Sequence, residues 1–339
     1  MDAGMRRGLV SLLAALALLA AAPAAHSASW AQKQIRVVVD RGIMGPSVEG
    51  FRPNDPLTRR ALGHVLANLT GEQQVIVDPD RRVFLWELDK ALVRAAGVRT
   101  AALQFQRKAI DAGLQPPGRF GFEVAARLLR LRFNHPAAKD YRELRPQDVV
   151  SRAETAYSVA RVLELSDWDR DYVTGLADSL AFPSFTAWQR RVLVRAFRFV
   201  GYPYVWGGMS ESRQTLFGVT SRGGFDCSGF VWRVYKLEPF SGAPQLQSVL
   251  QGRTTHDLSG EFPRAQRIPR DRLRPADLVF FGERAWRSLP SEVTHMGIYV
   301  GGGWMVHSSG NGVTLVPMTG WYADRFAWGR RPLREAGLA

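Results

Sequence analysis

The chain has 339 residues, 45 Lys and Arg against 31 Asp and Glu, and a formal net charge of +14. With 46% hydrophobic residues and one cysteine, it is neither a disulfide-stapled scaffold nor a charged disordered chain, and its length suits about two domains. The basic balance favours anionic polymers as partners; the charges are dispersed and no nucleic-acid motif is present, so no nucleic acid is expected.

Arg6 and Arg7 precede an uncharged run, Leu9 to Ala22, and small residues follow through Ala28. Residues 1–28 therefore read as a secretory signal with cleavage after Ser27, which would leave a charge of +13. An uncleaved anchor is the alternative, but the run is short of the roughly 20 residues that span a bilayer. The mature protein is expected to be extracytoplasmic, in the periplasm or cell wall, with no integral membrane segment after signal removal.

Residues 29–180 are predicted to form a mainly helical accessory domain. Gln34–Asp40 (QIRVVVD) reads as a short strand, and Gln74–Asp78 with Arg82–Trp86 as a hairpin. Helical spacing is clearer in Thr58–Leu69, Lys90–Ala96, Phe122–Leu131 and Ser151–Leu165. Two segments resemble each other. Phe51-Arg-Pro leads to Thr58-Arg59-Arg60-Ala61 and a helix; Tyr141 and Pro146 lead to Ser151-Arg152-Ala153-Glu154 and another, with Ser151 and Glu154 predicted as a capping box. An aromatic-x-Pro approach to a Thr-Arg-Ala-Glu helix start resembles S-layer homology repeats, which would imply docking on anionic cell-wall polymers. No third copy is evident.

Ala181–Ser184 reads as a linker and Trp188–Val200 as a helix closed by Gly201. Strands are predicted at Leu278–Phe281, Met296–Val300, Met305–His307 and Val313–Val316, so residues 185–339 read as an α+β domain.

Cys227 lies in Phe-Asp-Cys-Ser-Gly-Phe, followed by helix-like apolar spacing. A thiol at a helix N-terminus is biased towards thiolate, the nucleophilic form. An inert buried cysteine is the other reading of a lone thiol. His295 and His307 follow 68 and 80 residues later on strand-like segments joined by Gly301–Gly303, so a hairpin can bring one ring to the thiol and the other behind it. His256 is a competing base in a polar, loop-like stretch. No metal-ligand spacing, phosphate loop or dinucleotide fingerprint is present, so no metal and no cofactor is expected.

Taken in order, Tyr204-Val-Trp-Gly-Gly, Phe225-Asp-Cys-Ser-Gly-Phe, Asp277-Leu-Val-Phe-Phe, His295-Met-Gly-Ile-Tyr-Val-Gly and His307 resemble the NlpC/P60 cysteine peptidases. The resemblance implies a papain-like fold and hydrolysis of peptidoglycan stem peptides between D-Glu and the diamino acid. It also implies Cys227 as nucleophile, His295 as base and His307 as the orienting third residue, with Tyr204, Asp226 and Ser228 contacting substrate. Two features depart from the family pattern: a longer stretch of 16 residues, 209–224, and Ala276 in the Pro-Ala-Asp turn. Two alternatives stay open: an amidase or transpeptidase of wall peptides, and a wall-binding scaffold whose peptidase domain is shielded or inactive.

Overall fold

The computed structural model describes residues 29–338, and the signal reading at 1–28 lies outside them. The helical half comprises α1 (Gln32–Asp40), α2 (Arg59–Thr70), α3 (Leu85–Ala95), α4 (Arg99–Asp111), α5 (Phe120–Leu128), a 3-10 segment (Ala137–Arg142), α6 (Arg152–Glu164) and α7 (Asp167–Ser179). Two strand expectations fail here. Residues 34–40 are helical because Ile35 and Val38, three apart, are buried on one face of α1. The hairpin at 74–86 is absent: Val75 and Val77 are exposed and Leu85 already begins α3.

Its place is taken by a third copy of the repeat. The N–H of Leu57 donates to the Val150 carbonyl, that of Val150 to Val83, and that of Val83 back to Leu57, closing a ring of three hydrogen bonds at 2.9–3.0 Å. A second ring position repeats the symmetry, with Arg59 donating to Arg81, Leu85 to Asp148 and Arg152 to Asp55. The superposition 51–61, 77–87 and 144–154 aligns Pro53, Pro79 and Pro146, and each segment opens a helix. Thr58 and Ser151 cap α2 and α6 with their hydroxyls. In the middle copy Phe84 has no acceptor, so Glu87 instead reaches back to the Phe84 N–H. The capping box expected at Ser151 is half formed: the Glu154 carboxylate turns to the His135 ring, 3.2 Å away. The three apolar residues of the ring are buried, so each repeat covers the others' exposed backbone.

The second half comprises α8 (Ala187–Phe197), β1 (Met209–Ser210), β2 (Gln214–Leu216), β3 (Val219–Ser221), β4 (Gly224–Phe225), α9 (Cys227–Tyr235), α10 (Leu246–Val249), α11 (Thr255–Gly260), β5 (Leu278–Gly282), β6 (Val293–Gly301), β7 (Trp304–Ser309), β8 (Gly312–Pro317) and β9 (Phe326–Arg330). Strands β5–β9 form one antiparallel sheet in the order β8-β7-β6-β5-β9, and α9 packs across β6 and β7. The protein is α+β. The two halves share an apolar core: Phe120 of α5 stacks on Phe197 of α8 at 4.9 Å. The expected linker at 181–184 lies against the β6–β7 turn, where a side chain at Gly301 or Gly302 would collide with Pro183 or the Ala181 carbonyl.

Candidate active site

Asp226 caps α9 by accepting the Gly229 N–H, which puts Cys227 at the first helical position. There its own N–H has no helical acceptor. The glycine of Asp-Cys-Ser-Gly has a steric reason: a methyl on Gly229 would overlap the Gly208 carbonyl oxygen. The thiol is 8% exposed, and its sulfur lies 3.4 Å from the Thr255 hydroxyl. The N–H groups of Ser228 and Met296 favour its thiolate form, but burial, reinforced by the Asp226 charge, outweighs them and raises the thiol pKa. The bias towards thiolate expected at the helix end is therefore outweighed, because desolvation exceeds what the helix N-terminus supplies.

Met296 follows His295, so the strand carrying that histidine runs beside the sulfur. Ile298 pairs with Val306 across the hairpin, which sets His307 opposite Gly297 and diagonal to His295 on the same face. A Cβ on Gly297 would come within 3.0 Å of the His307 Cβ, so the glycine makes room for the rings to meet. Nε2 of His295 lies 2.7 Å from Nδ1 of His307. Burial holds His295 neutral, with its pKa lowered to about 4, and burial, with the neighbouring His295, also pushes His307 well below the usual imidazole range. Tyr322 and Trp321 pack around the pair.

For the free Nδ1 of His295 to take a proton, Nε2 must carry a hydrogen and donate it to His307. That leaves the His307 hydrogen on its own Nε2, which is buried without a partner among the described residues.

A cavity of about 500 Å³ opens onto Cys227, lined by Tyr204, Trp206, Asp226, Ser228, Arg253 and His256 among others. All three residues expected to contact substrate are thus gathered around the thiol. Burial raises the Tyr204 phenol pKa, so it stays protonated and able to donate. His256 also reaches the groove, but from α11 rather than from a loop. Of the long 209–224 stretch, β2 and β3 pair as a hairpin whose Phe217, 81% exposed, and Leu216 form part of the groove lining.

Sequence reasoning missed two residues, Thr255 and Arg253. The Arg253 guanidinium donates to Asp226 (3.2 Å), to the Ser228 hydroxyl (2.7 Å) and to the Gly207 carbonyl (2.8 Å). It binds the Tyr204–Gly208 segment to the helix that carries the thiol. The polar Arg-Thr-Thr-His run was the available signal, but nothing local shows that it folds back over Asp226.

The sequence profile of the NlpC/P60 family matches residues 201–331, and that of the S-layer homology domain matches residues 24–61. Residues 201–331 are an NlpC/P60 domain. The chain is similar to a gamma-D-glutamyl-L-lysine dipeptidyl-peptidase of Bacillus subtilis, 31% identical over 36% of this chain and 32% of that protein. It is also similar to a probable endopeptidase p60 of Listeria grayi, 29% identical over 40% of this chain and 21% of that protein. The chain thus spans a third or less of these relatives' length. Among solved structures, an NlpC/P60 family protein from Bacillus cereus matches at 24% identity and a TM-score of 0.32, covering 46% of this chain and 43% of that one. RipD of Mycobacterium tuberculosis, described as a non-catalytic NlpC/p60 domain protein adapted to peptidoglycan binding, matches at 19% identity and a TM-score of 0.31, covering 43% and 98%. The S-layer homology match includes the first of the three repeats in the hydrogen-bonded ring.

Proposed function

We propose that this chain is an exported cysteine endopeptidase that hydrolyses peptidoglycan stem peptides, with the bond between D-Glu and the diamino acid as its target. The observation that carries the reading is the buried thiol at the start of α9, with the His295–His307 pair on the adjoining strands and an open groove beside it.

In this mechanism Cys227 Sγ attacks the amide carbonyl as its proton passes to Nδ1 of His295. Burial disfavours each charge alone, so sulfur–carbon bond formation and proton transfer proceed together. The Cys227 N–H at the start of α9, which has no helical acceptor, stabilises the oxyanion. The imidazolium returns its proton to the leaving amine, and water, deprotonated by the same ring, releases the acyl group and restores the thiol. His307 holds the His295 ring through Nε2. Tyr204, Asp226 and Ser228 contact the stem.

The helical half, with residues 29–180 as one domain, is proposed to dock on anionic wall polymer. A cavity of about 450 Å³ beside the repeats is lined by Arg82, Arg142 and Arg222 with a single carboxylate, Glu154.

The deciding experiment is mass spectrometry of soluble products from purified peptidoglycan incubated with residues 28–339 or with its Cys227→Ala variant. New stem fragments from the wild type alone support the reading and name the bond, and a mass gain of one water distinguishes hydrolysis from transfer. Fragments from neither, with the thiol reduced and the fold intact, would replace it with a wall-binding scaffold.

A further inference from the structure

The groove segment Pro203–Gly208 is tied to the strand before Cys227 by a set of backbone bonds. Val205 donates to Phe225, Phe225 to Pro203, Gly208 to Val205 and Asp226 to Gly208. The Trp206 N–H is directed elsewhere: it donates to Asp140 Oδ2 of the helical half, at 3.0 Å. Asp140 is 5% exposed, within the 3-10 segment Ala137–Arg142. That segment also packs against β3, so one piece of the helical half touches both the Trp206 turn and the inserted hairpin.

We infer that Asp140 is a positioning residue of the catalytic groove, supplied by the helical half, which holds the Tyr204–Gly208 segment in place by accepting the Trp206 N–H. This inference rests on the hydrolase reading above. The physical chain is continuous. Asp140 holds Trp206; the next residue's carbonyl accepts from Arg253; Arg253 holds Asp226 and Ser228 on either side of the thiol. Without an acceptor the Trp206 N–H would be left unpaired at a domain boundary, and the turn bearing Tyr204 and Trp206 would lose its one hydrogen bond to the helical half among the described residues. An N–H bonded to a buried carboxylate is among the stronger protein hydrogen bonds, and this one is part-buried through Asp140, so its loss has leverage on the groove. The helical half is then more than a tether, since it completes one wall of the groove.

The test uses the full described chain with Asp140→Ala, Asp140→Asn and Asp140→Leu, the last keeping volume without an acceptor should Ala fold poorly. Three quantities are measured: amide hydrogen exchange in peptides spanning 203–209, kcat and KM on a soluble stem peptide, and the rate of Cys227 alkylation. Ala and Leu are expected to speed exchange at Trp206 and to lower kcat/KM by about tenfold, mainly through KM, while alkylation stays at the wild-type rate. Asn retains an amide oxygen and is expected to restore both exchange and kinetics. Unchanged exchange, unchanged kcat/KM, failure of Asn to rescue, or faster alkylation signalling general loosening would each overturn the inference. If the wild type cleaves nothing, the hydrolase reading itself falls, an outcome distinct from a wild type that cleaves while Asp140→Ala cleaves equally well.

Discussion

Nδ1 of His307 sits 2.7 Å from Nε2 of His295, across a hairpin in which Gly297 leaves the space between them. The contact engages Nε2 of His295 and leaves its Nδ1 outside the pair, which is the arrangement the proposed role of His307 as an orienting partner needs. His307→Ala is expected to lower kcat by about a hundredfold with little change in KM, because the proton acceptor loses its orientation. Gly297→Ala should act in the same direction by forcing the strands apart. Steady-state kinetics on a soluble stem peptide check both, and a KM effect without a kcat effect would contradict the assigned role.

Burial raises the Cys227 thiol and lowers His295 to about 4, which favours a neutral thiol and a neutral imidazole in the resting protein across the physiological range. The pH profile of kcat/KM is therefore expected to be flat from about pH 5 to 8, with its acid limb near the histidine value and its alkaline limb above the ordinary cysteine range. Iodoacetamide labelling of Cys227 should keep rising with pH above 8, since the reagent needs the thiolate. An inflection near 6.5, or a labelling plateau at neutral pH, would show a pre-formed ion pair instead.

Glu143 is buried beside Glu154, Asp140 and Arg127, accepts the His135 N–H, and has its pKa pushed up to about 8, chiefly by desolvation. A carboxyl raised on folding stabilises the fold fully below its unfolded value, near 4.5, and that contribution is lost as pH rises through 8. Glu143→Gln keeps an oxygen for the His135 N–H and cannot ionise. Its Tm is expected to exceed that of the wild type at pH 9 and to converge with it, or fall below it, at pH 5. Calorimetric scans at the two pH values check this, and parallel curves would remove the explanation.

Leu57 is fully buried at the ring that joins the three repeats. Leu57→Ala is expected to cost about 3 kcal/mol, as cavity-forming changes in packed cores do. Chemical denaturation measures it. A cost under about 1 kcal/mol would mean that the repeats do not depend on their shared centre.

The candidate site was legible because its parts are written locally. Asp226 and Gly229 flank Cys227 at a helix start whose cap and close approach account for those two residue types, and the two histidines lie on strands joined by a glycine turn. Alternation and turn residues likewise marked four strands of the sheet. Other elements misled, each for a physical reason. The β-branched run at 34–40 carries strand propensity, yet it is helical because burial of Ile35 and Val38 selects a face that local preference does not encode. The third repeat was hidden because Phe84 stands where its sister segments have a hydroxyl cap, and only the ring of hydrogen bonds among Leu57, Val83 and Val150 shows the equivalence.

By itself the sequence placed the lone thiol at a helix start, the two imidazoles on one hairpin and the helical half before the α+β half, since each depends on contacts within a few residues or on one hairpin. Tertiary structure alone decided the resting charge of the thiol and histidines, the clasp of Arg253 over Asp226 and Ser228, and the reach of Asp140 to Trp206. These depend on burial and on partners tens of residues away, and neither leaves a periodic trace in the chain.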